Sequence, residues 1–228
     1  MATVSNAPLL LHGFDPTLLL VLNLAGTFVF GLSGGLAAVR ARLDLFGVVV
    51  LAVVVGLAGG IIRDLLIGIP PETFRDWRYL AVAGGAGLVT FLASATVRRY
   101  GRPIDILDAA GLSLFCVTGA ATALQHRVGA PEAVILGAIT GIGGGMLRDV
   151  LLREIPVVLR EGLYAIPALL GAGIVVVAWE AGTRGLAFPI IGAAVCFTIR
   201  IVGLYRGINV PTAPEQGERA LSSLFRRG

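Results

Sequence analysis

The sequence contains one nine-residue stretch twice: Gly56-Leu57-Ala58-Gly59-Gly60-Ile61-Ile62-Arg63-Asp64 returns 85 residues later as Gly141-Ile142-Gly143-Gly144-Gly145-Met146-Leu147-Arg148-Asp149. Each copy places adjacent glycines and an arginine–aspartate pair in an apolar run that is long enough to cross a bilayer. Glycines loosen a helix, and charges inside a membrane are costly. Their recurrence at matching positions therefore indicates a function built from two related halves.

The composition is that of an integral membrane protein. Hydrophobic residues make up 56% of the 228 residues and charged residues only 14%, with a mean hydropathy of +0.89. An ordinary soluble domain has roughly 25% charged residues. All 18 basic residues are arginines, and they lie mostly in short segments between apolar runs. Because they do not form one basic face, we expect no nucleic-acid partner, and lipid phosphates are the phosphate surface they could contact.

Seven apolar runs approach or reach the roughly 17–25 residues that a membrane-spanning helix needs. They cover residues 16–38, 46–67, 78–97, 104–124, 132–152, 163–180 and 186–205. The sequence thus predicts an all-α integral membrane protein with seven transmembrane helices. Its predicted parts are an N-terminal segment (1–15), a first three-span repeat (16–97), a second three-span repeat (98–180), a seventh span (186–206) and a C-terminal tail (207–228).

The arginines predict the orientation of these spans. With seven spans, eleven arginines fall in segments on one side of the membrane and four in segments on the other. Positive charge accumulates on the cytoplasmic side of membrane proteins. We therefore expect the N-terminus outside and the C-terminus in the cytoplasm.

The internal repeat extends well beyond the nine-residue motif. An ungapped shift of 85 residues gives 18 identities in 59 pairs between residues 25–83 and 110–168, among them Pro71 with Pro156 and Tyr79 with Tyr164. Each copy contains three spans. Because three is odd, the second copy enters the membrane from the opposite side, so the sequence predicts inverted repeats with the seventh span outside them.

The glycine pairs Gly59-Gly60 and Gly144-Gly145 are expected just past the centres of spans two and five. Adjacent glycines ease kinking or unwinding, and an unwound helix offers carbonyl and N–H groups to an ion or a small polar solute. The alternative is close helix packing, since both motifs also fit a small-xxx-small pattern. Recurrence in both repeats favours the first interpretation.

The charged pairs Arg63-Asp64 and Arg148-Asp149 are the second candidate element of a pathway. Neighbours in sequence point about 100° apart on a helix, so we expect them to pair elsewhere. Crossed pairs of Arg63 with Asp149 and of Arg148 with Asp64, and pairs within one repeat, are both open. These charges either line or gate a polar passage or, alternatively, the arginines snorkel to the interfaces and anchor the helices.

Further polar residues correspond under the same shift. Asn23 matches Asp108 in spans one and four, and Asp108 is deep enough in its helix to meet a cation. Ser33 matches Thr118, although such hydroxyls more often bond back to their own helix than to a solute. The sequence contains no nucleophile–base arrangement, metal-ligand cluster or phosphate-binding motif. We therefore expect no catalytic residues, no metal site, no cofactor and no nucleotide partner.

The pattern Gly-Gly-x-x-Arg-Asp occurs twice, followed by Pro71 or Pro156, and Asp108-Ala109-Ala110-Gly111-Leu112 precedes the second copy. Over about residues 15–206, the chain resembles the prokaryotic relatives of trimeric intracellular cation (TRIC) channels, also catalogued as the two-repeat UPF0126 or glycine transporter family. The resemblance implies two inverted three-helix bundles plus a seventh helix, and a homotrimer with one pore per protomer. It also implies potassium-permeable conduction between spans one, two, four and five, with kinks at the Gly-Gly pairs. The chain has no lysine, so the lysine-dependent phosphoinositide contact of the animal channels is not expected.

The sequence therefore predicts a monovalent cation channel of the bacterial plasma membrane. Carbonyls freed at the glycine pairs, with Asp64, Asp149 and Asp108, would stabilise a partly dehydrated cation, while Arg63 and Arg148 brace the helices. One alternative is a secondary transporter of a small zwitterion such as glycine, which would use the same charges. A third interpretation is a structural membrane protein whose glycines serve packing alone.

Overall fold

The computed structural model describes residues 16–93, 103–160, 163–183, 185 and 187–207, and the predicted N-terminal segment and nearly all of the tail lie outside these ranges. This part of the chain forms nine α-helices. They are α1 (Pro16–Arg40), α2 (Leu45–Ile67), α3 (Glu72–Arg75), α4 (Trp77–Leu92), α5 (Pro103–Gln125), α6 (Ala130–Leu151), α7 (Val157–Arg160), α8 (Ala165–Glu180) and α9 (Ala187–Arg206).

Each of the seven predicted apolar runs falls, over most of its described residues, on one of the seven longer helices. Helices α1, α2, α5, α6 and α9 are long and apolar enough to cross a membrane. The other two, α4 and α8, are apolar but have only 16 residues each, about 24 Å against a hydrocarbon core of about 30 Å. The all-α membrane class is confirmed. The short helices α3 and α7 were not predicted, and each follows a proline of the repeat, Pro71 or Pro156.

Helix ends in the first half are set by side chains at the chain's turns. Asp44 accepts a hydrogen bond from the Gly47 N–H at 2.8 Å and caps α2, which ends at Gly68 with φ of 81°. Asp76 caps α4 by accepting the Arg78 N–H at 3.0 Å. The Arg78 guanidinium also bonds Asp76 and lowers the pKa of that carboxyl, so the cap keeps the negative charge that a helix N-terminus favours.

The helices pack as two similar groups of three. In the first group α1, α2 and α4 contact one another, and in the second α5, α6 and α8 do so. The groups meet along α1 against α5 and α2 against α6, while α9 packs on α8 and α5. The main hydrophobic cluster takes buried residues from α1, α2, α5, α6, α8 and α9.

The contacts between the two groups are reciprocal under the 85-residue shift. The Phe30 ring packs on Gly111, and the Phe115 ring packs on Gly26, so that a Cβ on either glycine would lie within 2.9 Å of the ring. The two rings also contact each other, with centroids 5.5 Å apart. Residue and partner therefore exchange roles between the two groups, as the sequence repeat predicts.

Candidate functional site

The glycine pairs lie within unbroken helices. Helix α2 continues through Gly59-Gly60, and α6 continues through Gly144-Gly145. The carbonyls that we expected to be freed there are therefore still part of α-helix in this conformation. Tight packing from both sides holds the helices regular despite the low helix propensity of glycine.

One glycine of each pair serves close helix packing. A Cβ on Gly59 would overlap the carbonyl oxygen of Thr140, and a Cβ on Gly144 would lie 2.6 Å from that of Val55. These contacts are reciprocal between α2 and α6, so the packing interpretation applies to both residues. The second glycines differ from each other. Nothing lies within 4 Å of the Cβ position of Gly60, whereas that of Gly145 would meet the Tyr164 hydroxyl and Asp108 Oδ1.

The crossed ion pairs are not present. Arg63 Nε donates to Asp64 Oδ1 at 2.8 Å, and Arg148 Nε donates to Asp149 Oδ1 at 2.9 Å. Our expectation that sequence neighbours could not pair is wrong because the arginine side chain is long enough to fold back around the helix. All four side chains are buried, so the alternative in which the arginines snorkel to the interfaces is not observed either.

The second carboxylate oxygen of each pair holds the chain after the helix. Asp64 Oδ2 accepts the Glu72 N–H at 2.9 Å, and Asp149 Oδ2 accepts the Val157 N–H at 3.0 Å. Glu72 and Val157 begin α3 and α7, and they correspond under the 85-residue shift. Each aspartate therefore bridges an arginine and a short helix, which occupies both of its oxygens in this conformation.

The second half contains a complete buried polar cluster around Arg148. Its Nη1 donates to Asp108 Oδ1 and to Ser33 Oγ, both at 2.7 Å. The cluster joins α6 to α5 and, across the interface between the two groups, to α1. Asp108 therefore meets an arginine rather than a free cation here, and Ser33 bonds another helix rather than its own.

The corresponding cluster in the first half is incomplete. Arg63 Nη1, Asn23 Oδ1 and Thr118 Oγ1 are buried without a hydrogen-bond partner among the described residues. They are the counterparts of Arg148 Nη1, Asp108 and Ser33. The nearest second carboxylate is that of Glu72, 4.0 Å from Arg63 Nη2 and half exposed. The first half has Asn23 where the second half has Asp108, so it lacks the acid that would complete the cluster.

Two cavities lie at opposite ends of α1. The Arg148 cavity, of about 310 Å³, is lined by the C-terminal end of α1, the N-terminal end of α5 and the C-terminal end of α6. The Glu72 cavity, of about 130 Å³, is lined by the N-terminal part of α1, the C-terminal end of α5 and the start of α3. A third space of about 10 Å³ beside Gly60 shares Asn23, Glu72 and Tyr79 with the Glu72 cavity.

The Arg148 and Glu72 cavities each carry an excess of acid. The Arg148 cavity is lined by two arginines, Arg40 and Arg148, and by three acids, Asp105, Asp149 and Glu154. The lining of the Glu72 cavity contains one acid, Glu72, and no arginine. The chain as a whole has a net charge of +4, so the acidic excess is local. Within the described ranges, no group of three or more potential ligands could hold a metal ion.

Several site residues were missed by the sequence reasoning. Glu72, Phe30, Phe115, Tyr164 and Arg200 were given no role. The 85-residue alignment already contained a signal for three of them, because Phe30 matches Phe115 and Tyr79 matches Tyr164. No such signal existed for Arg200, which lies outside the repeat, or for Glu72, whose counterpart is Val157.

The chain is similar to known membrane proteins over most of its length. The model of a family described as glycine transporter matches residues 20–95 and again 105–180, which reproduces the 85-residue shift. A UPF0126 membrane protein of Streptomyces coelicolor is 52% identical over 203 residues, covering 88% of this chain and 93% of the relative. A UPF0126 inner membrane protein of Escherichia coli K12 is 36% identical over 194 residues, covering 84% and 94%.

A solved structure shares the fold. The TRIC trimeric intracellular cation channel orthologue from Rhodobacter sphaeroides superposes with a TM-score of 0.81 at 37% identity, covering 84% of this chain and 100% of that one. At this identity the likeness extends beyond the general fold to the family.

Proposed function

The chain belongs to the TRIC/UPF0126 family of multi-pass membrane proteins, and on this premise we propose that it is a potassium-permeable channel for monovalent cations. The observation that carries the proposal is the pair of acid-lined cavities at opposite ends of α1. A local excess of negative charge concentrates cations at a pathway entrance. An excess of one charge at each end holds a monovalent ion weakly enough for it to leave again.

The proposed pathway runs between α1, α2, α5 and α6 and is closed in this conformation. We route it from one cavity to the other past the small space beside Gly60 and the paired rings of Phe30 and Phe115. Arg148 closes the other side by bonding Ser33 of α1 and Asp108 of α5. Release of Arg148 from Ser33 would leave Asp108 able to face a passing cation.

We place the glycine pairs in the opening step. Gly60 and Gly145 both border the pathway, the first beside open space and the second beside Asp108 and Tyr164. A kink at either pair would expose carbonyl oxygens to the ion. In this proposal Gly59 and Gly144 are the fixed contact between α2 and α6 about which the helix ends move.

We propose seven membrane crossings in two inverted repeats. The N-terminal part of α1 lines the same cavity as the C-terminal end of α5, and the reverse holds at the other cavity, so α1 and α5 run in opposite directions. Helices α4 and α8 would complete the crossings with local thinning of the bilayer. The distribution of arginines places the Arg148 cavity on the cytoplasmic side of the plasma membrane and the Glu72 cavity outside.

We also propose a homotrimer with one pathway per protomer. The solved relative is described as a trimeric channel, and the cavities at the two ends of α1 are formed by one chain. A complete pathway can therefore lie within a protomer.

Transport of a small zwitterion is the second candidate function. The observation that favours it is the unpartnered Arg63 Nη1 and Asn23 Oδ1 close to the Glu72 carboxylate. This arrangement offers a donor for a carboxylate and acceptors for an ammonium group. The matched family is also described as glycine transporter.

The two functions are separated by one reconstitution experiment. Purified protein in liposomes is assayed in parallel for electrogenic potassium flux and for uptake of labelled glycine. The channel predicts potassium current with a single-channel step and no glycine accumulation. Saturable glycine uptake without such a current would replace the channel by the transporter, and protein-free liposomes set the background for both assays.

A further inference from the structure

Helix α9, which lies outside the two repeats, contributes one buried charged residue, Arg200. Its buried residues are Pro189, Gly192, Cys196, Arg200 and Gly203, and they follow one another at helical spacing on a single face. Four of the five are small or apolar, whereas Arg200 is charged and only 2% exposed. A buried arginine in a membrane helix is costly and usually has a specific partner.

The guanidinium of Arg200 lies over the ring of Tyr164. Its guanidinium carbon lies 4.7 Å from the ring centroid, and its Nη1 is 3.4 Å from the Leu163 carbonyl oxygen. A guanidinium above an aromatic face is attracted by the ring, more strongly where water is excluded. Gly203 packs on the Leu163 side chain one turn further along α9. Helix α9 therefore packs on Leu163 and Tyr164, just before α8.

The other edge of Tyr164 reaches the Arg148 cluster. Tyr164 is buried, and its hydroxyl lies beside Gly145, as does Asp108 Oδ1. The hydroxyl has no hydrogen-bond partner among the described residues, so it neighbours Asp108 without bonding it. The same Oδ1 accepts a hydrogen bond from Arg148, which also bonds Ser33. Neighbouring buried groups thus lead from α9 through Tyr164, past Gly145, to Asp108 and the link between α6 and α1.

The first half supplies the comparison. Tyr79 is the counterpart of Tyr164, but its hydroxyl donates to Glu72 Oε2 at 3.2 Å, and the space beside Gly60 is open. None of the described helices contacts α1, α2 and α4 as α9 contacts the second group. The two equivalent tyrosines, Tyr79 and Tyr164, therefore have different surroundings, and only Tyr164 lies in the half that α9 contacts.

We propose that Arg200 is a positioning residue that holds Tyr164 against Asp108 and thereby keeps the Arg148 closure in place. Helix α9 then controls opening at the Arg148 cavity, whereas none of the described helices plays this part in the first half. This inference rests on the proposed channel function. A cation–π contact at a desolvated site corresponds to roughly a 5- to 30-fold change in the ratio of closed to open states.

The test measures open probability in planar bilayers containing potassium chloride. Arg200→Met is expected to raise the open probability by that factor, and Arg200→Lys, which keeps a cation above the ring, to restore most of the closure. Tyr164→Phe keeps the ring but removes the hydroxyl, so it should also favour opening. The double variant Arg200→Met/Tyr164→Phe should open no more than the stronger single variant, because both act through the same neighbouring groups.

Tyr79→Phe is the matched control. Its effect, whatever its size, should multiply with that of Arg200→Met, because Tyr79 lies in the other half. The Arg200→Met and Tyr164→Phe variants are also compared by thermal unfolding in detergent, where the coupling should appear as non-additive shifts. Multiplicative effects of Arg200→Met and Tyr164→Phe in both readouts would overturn the link.

The two readouts distinguish the link from the channel itself. Suppose that the wild-type protein carries no potassium current but the unfolding shifts are non-additive. The channel function and the control of conduction by Arg200 are then both wrong, whereas the physical coupling between Arg200 and Tyr164 is supported. If the wild-type protein conducts and Arg200→Met leaves the open probability unchanged in folded protein, the channel stands and the inference is wrong.

Discussion

Asp108 and Asn23 occupy equivalent places, and one atom distinguishes their chemistry. Asp108 gives Arg148 a carboxylate at 2.7 Å. The first half has the amide of Asn23 instead, and its Oδ1 has no partner in the described part of the chain. Hydrogen bonds to charged groups are roughly twice as strong as neutral ones. The polar cluster of the second half is therefore the more firmly bonded of the two.

Asp108→Asn should loosen that closure. The variant keeps an acceptor for Arg148 but removes the charge, so we expect a loss of about 1–2 kcal/mol in unfolding free energy. The same loss acts on the closed state and should raise open probability by roughly 5- to 30-fold. Thermal unfolding in detergent and potassium currents in bilayers measure the two effects. If the variant is destabilised as expected but its current equals that of the wild type, Asp108 does not take part in closing the pathway.

Asn23→Asp is the opposite change at the equivalent position. It places a carboxylate beside Arg63 Nη1 and makes the first cluster resemble the second. We expect potassium current to fall, because the first half would then be closed by its own arginine as well. An unchanged or increased current in this variant would show that the two halves do not act as equivalent closures.

At the scale of helices, the interface between α2 and α6 is set by Gly59 and Gly144. Each brings a backbone carbonyl of the opposite helix to where a side chain would otherwise lie. Small residues permit such close approach in membranes, where van der Waals packing holds helices together. The neighbouring Gly60 has no atom within 4 Å of its Cβ position and provides a matched comparison.

Gly59→Ala is expected to destabilise the protein, and Gly60→Ala is not. An added methyl group at Gly59 would overlap the Thr140 carbonyl and force the helices apart, at a cost of about 1–3 kcal/mol. At Gly60 it meets open space, and the better helix propensity of alanine favours folding by up to about 1 kcal/mol. Unfolding temperatures of the two variants in one detergent test this difference. Equal destabilisation by both would mean that packing does not distinguish the pair.

The sequence was sufficient for the seven apolar helices but not for the side-chain partners. Apolar runs between charged segments predict helices because a segment in lipid must satisfy its backbone N–H and C=O groups internally. Whether Arg63 folds back on Asp64 depends on rotamers and on the N–H of Glu72, which is eight residues beyond Asp64. The link from Arg148 to Ser33 spans 115 residues, and no local pattern encodes such a contact.

At the scale of the molecule, the charge of the two cavities is opposite in sign to the net charge of the chain. The chain has a net charge of +4, yet both cavities at the ends of the proposed pathway have more acids than bases. Glu72 and Glu154 are the exposed acids of the two cavities. Because the cavities lie at opposite ends of α1, each acid should affect the entry of cations from one side only.

Glu72→Gln should reduce potassium current that enters from the Glu72 cavity, which we place outside. A unit charge about 8 Å from the ion path in water contributes about 0.5 kcal/mol, so the current should fall roughly two-fold at low salt and recover near 1 M salt, where screening is strong. Glu154→Gln should reduce current in the opposite direction only. Single-channel currents in bilayers with potassium on one side at a time measure both. Equal loss in both directions, or a loss that persists at high salt, would contradict the placement of these acids at separate entrances.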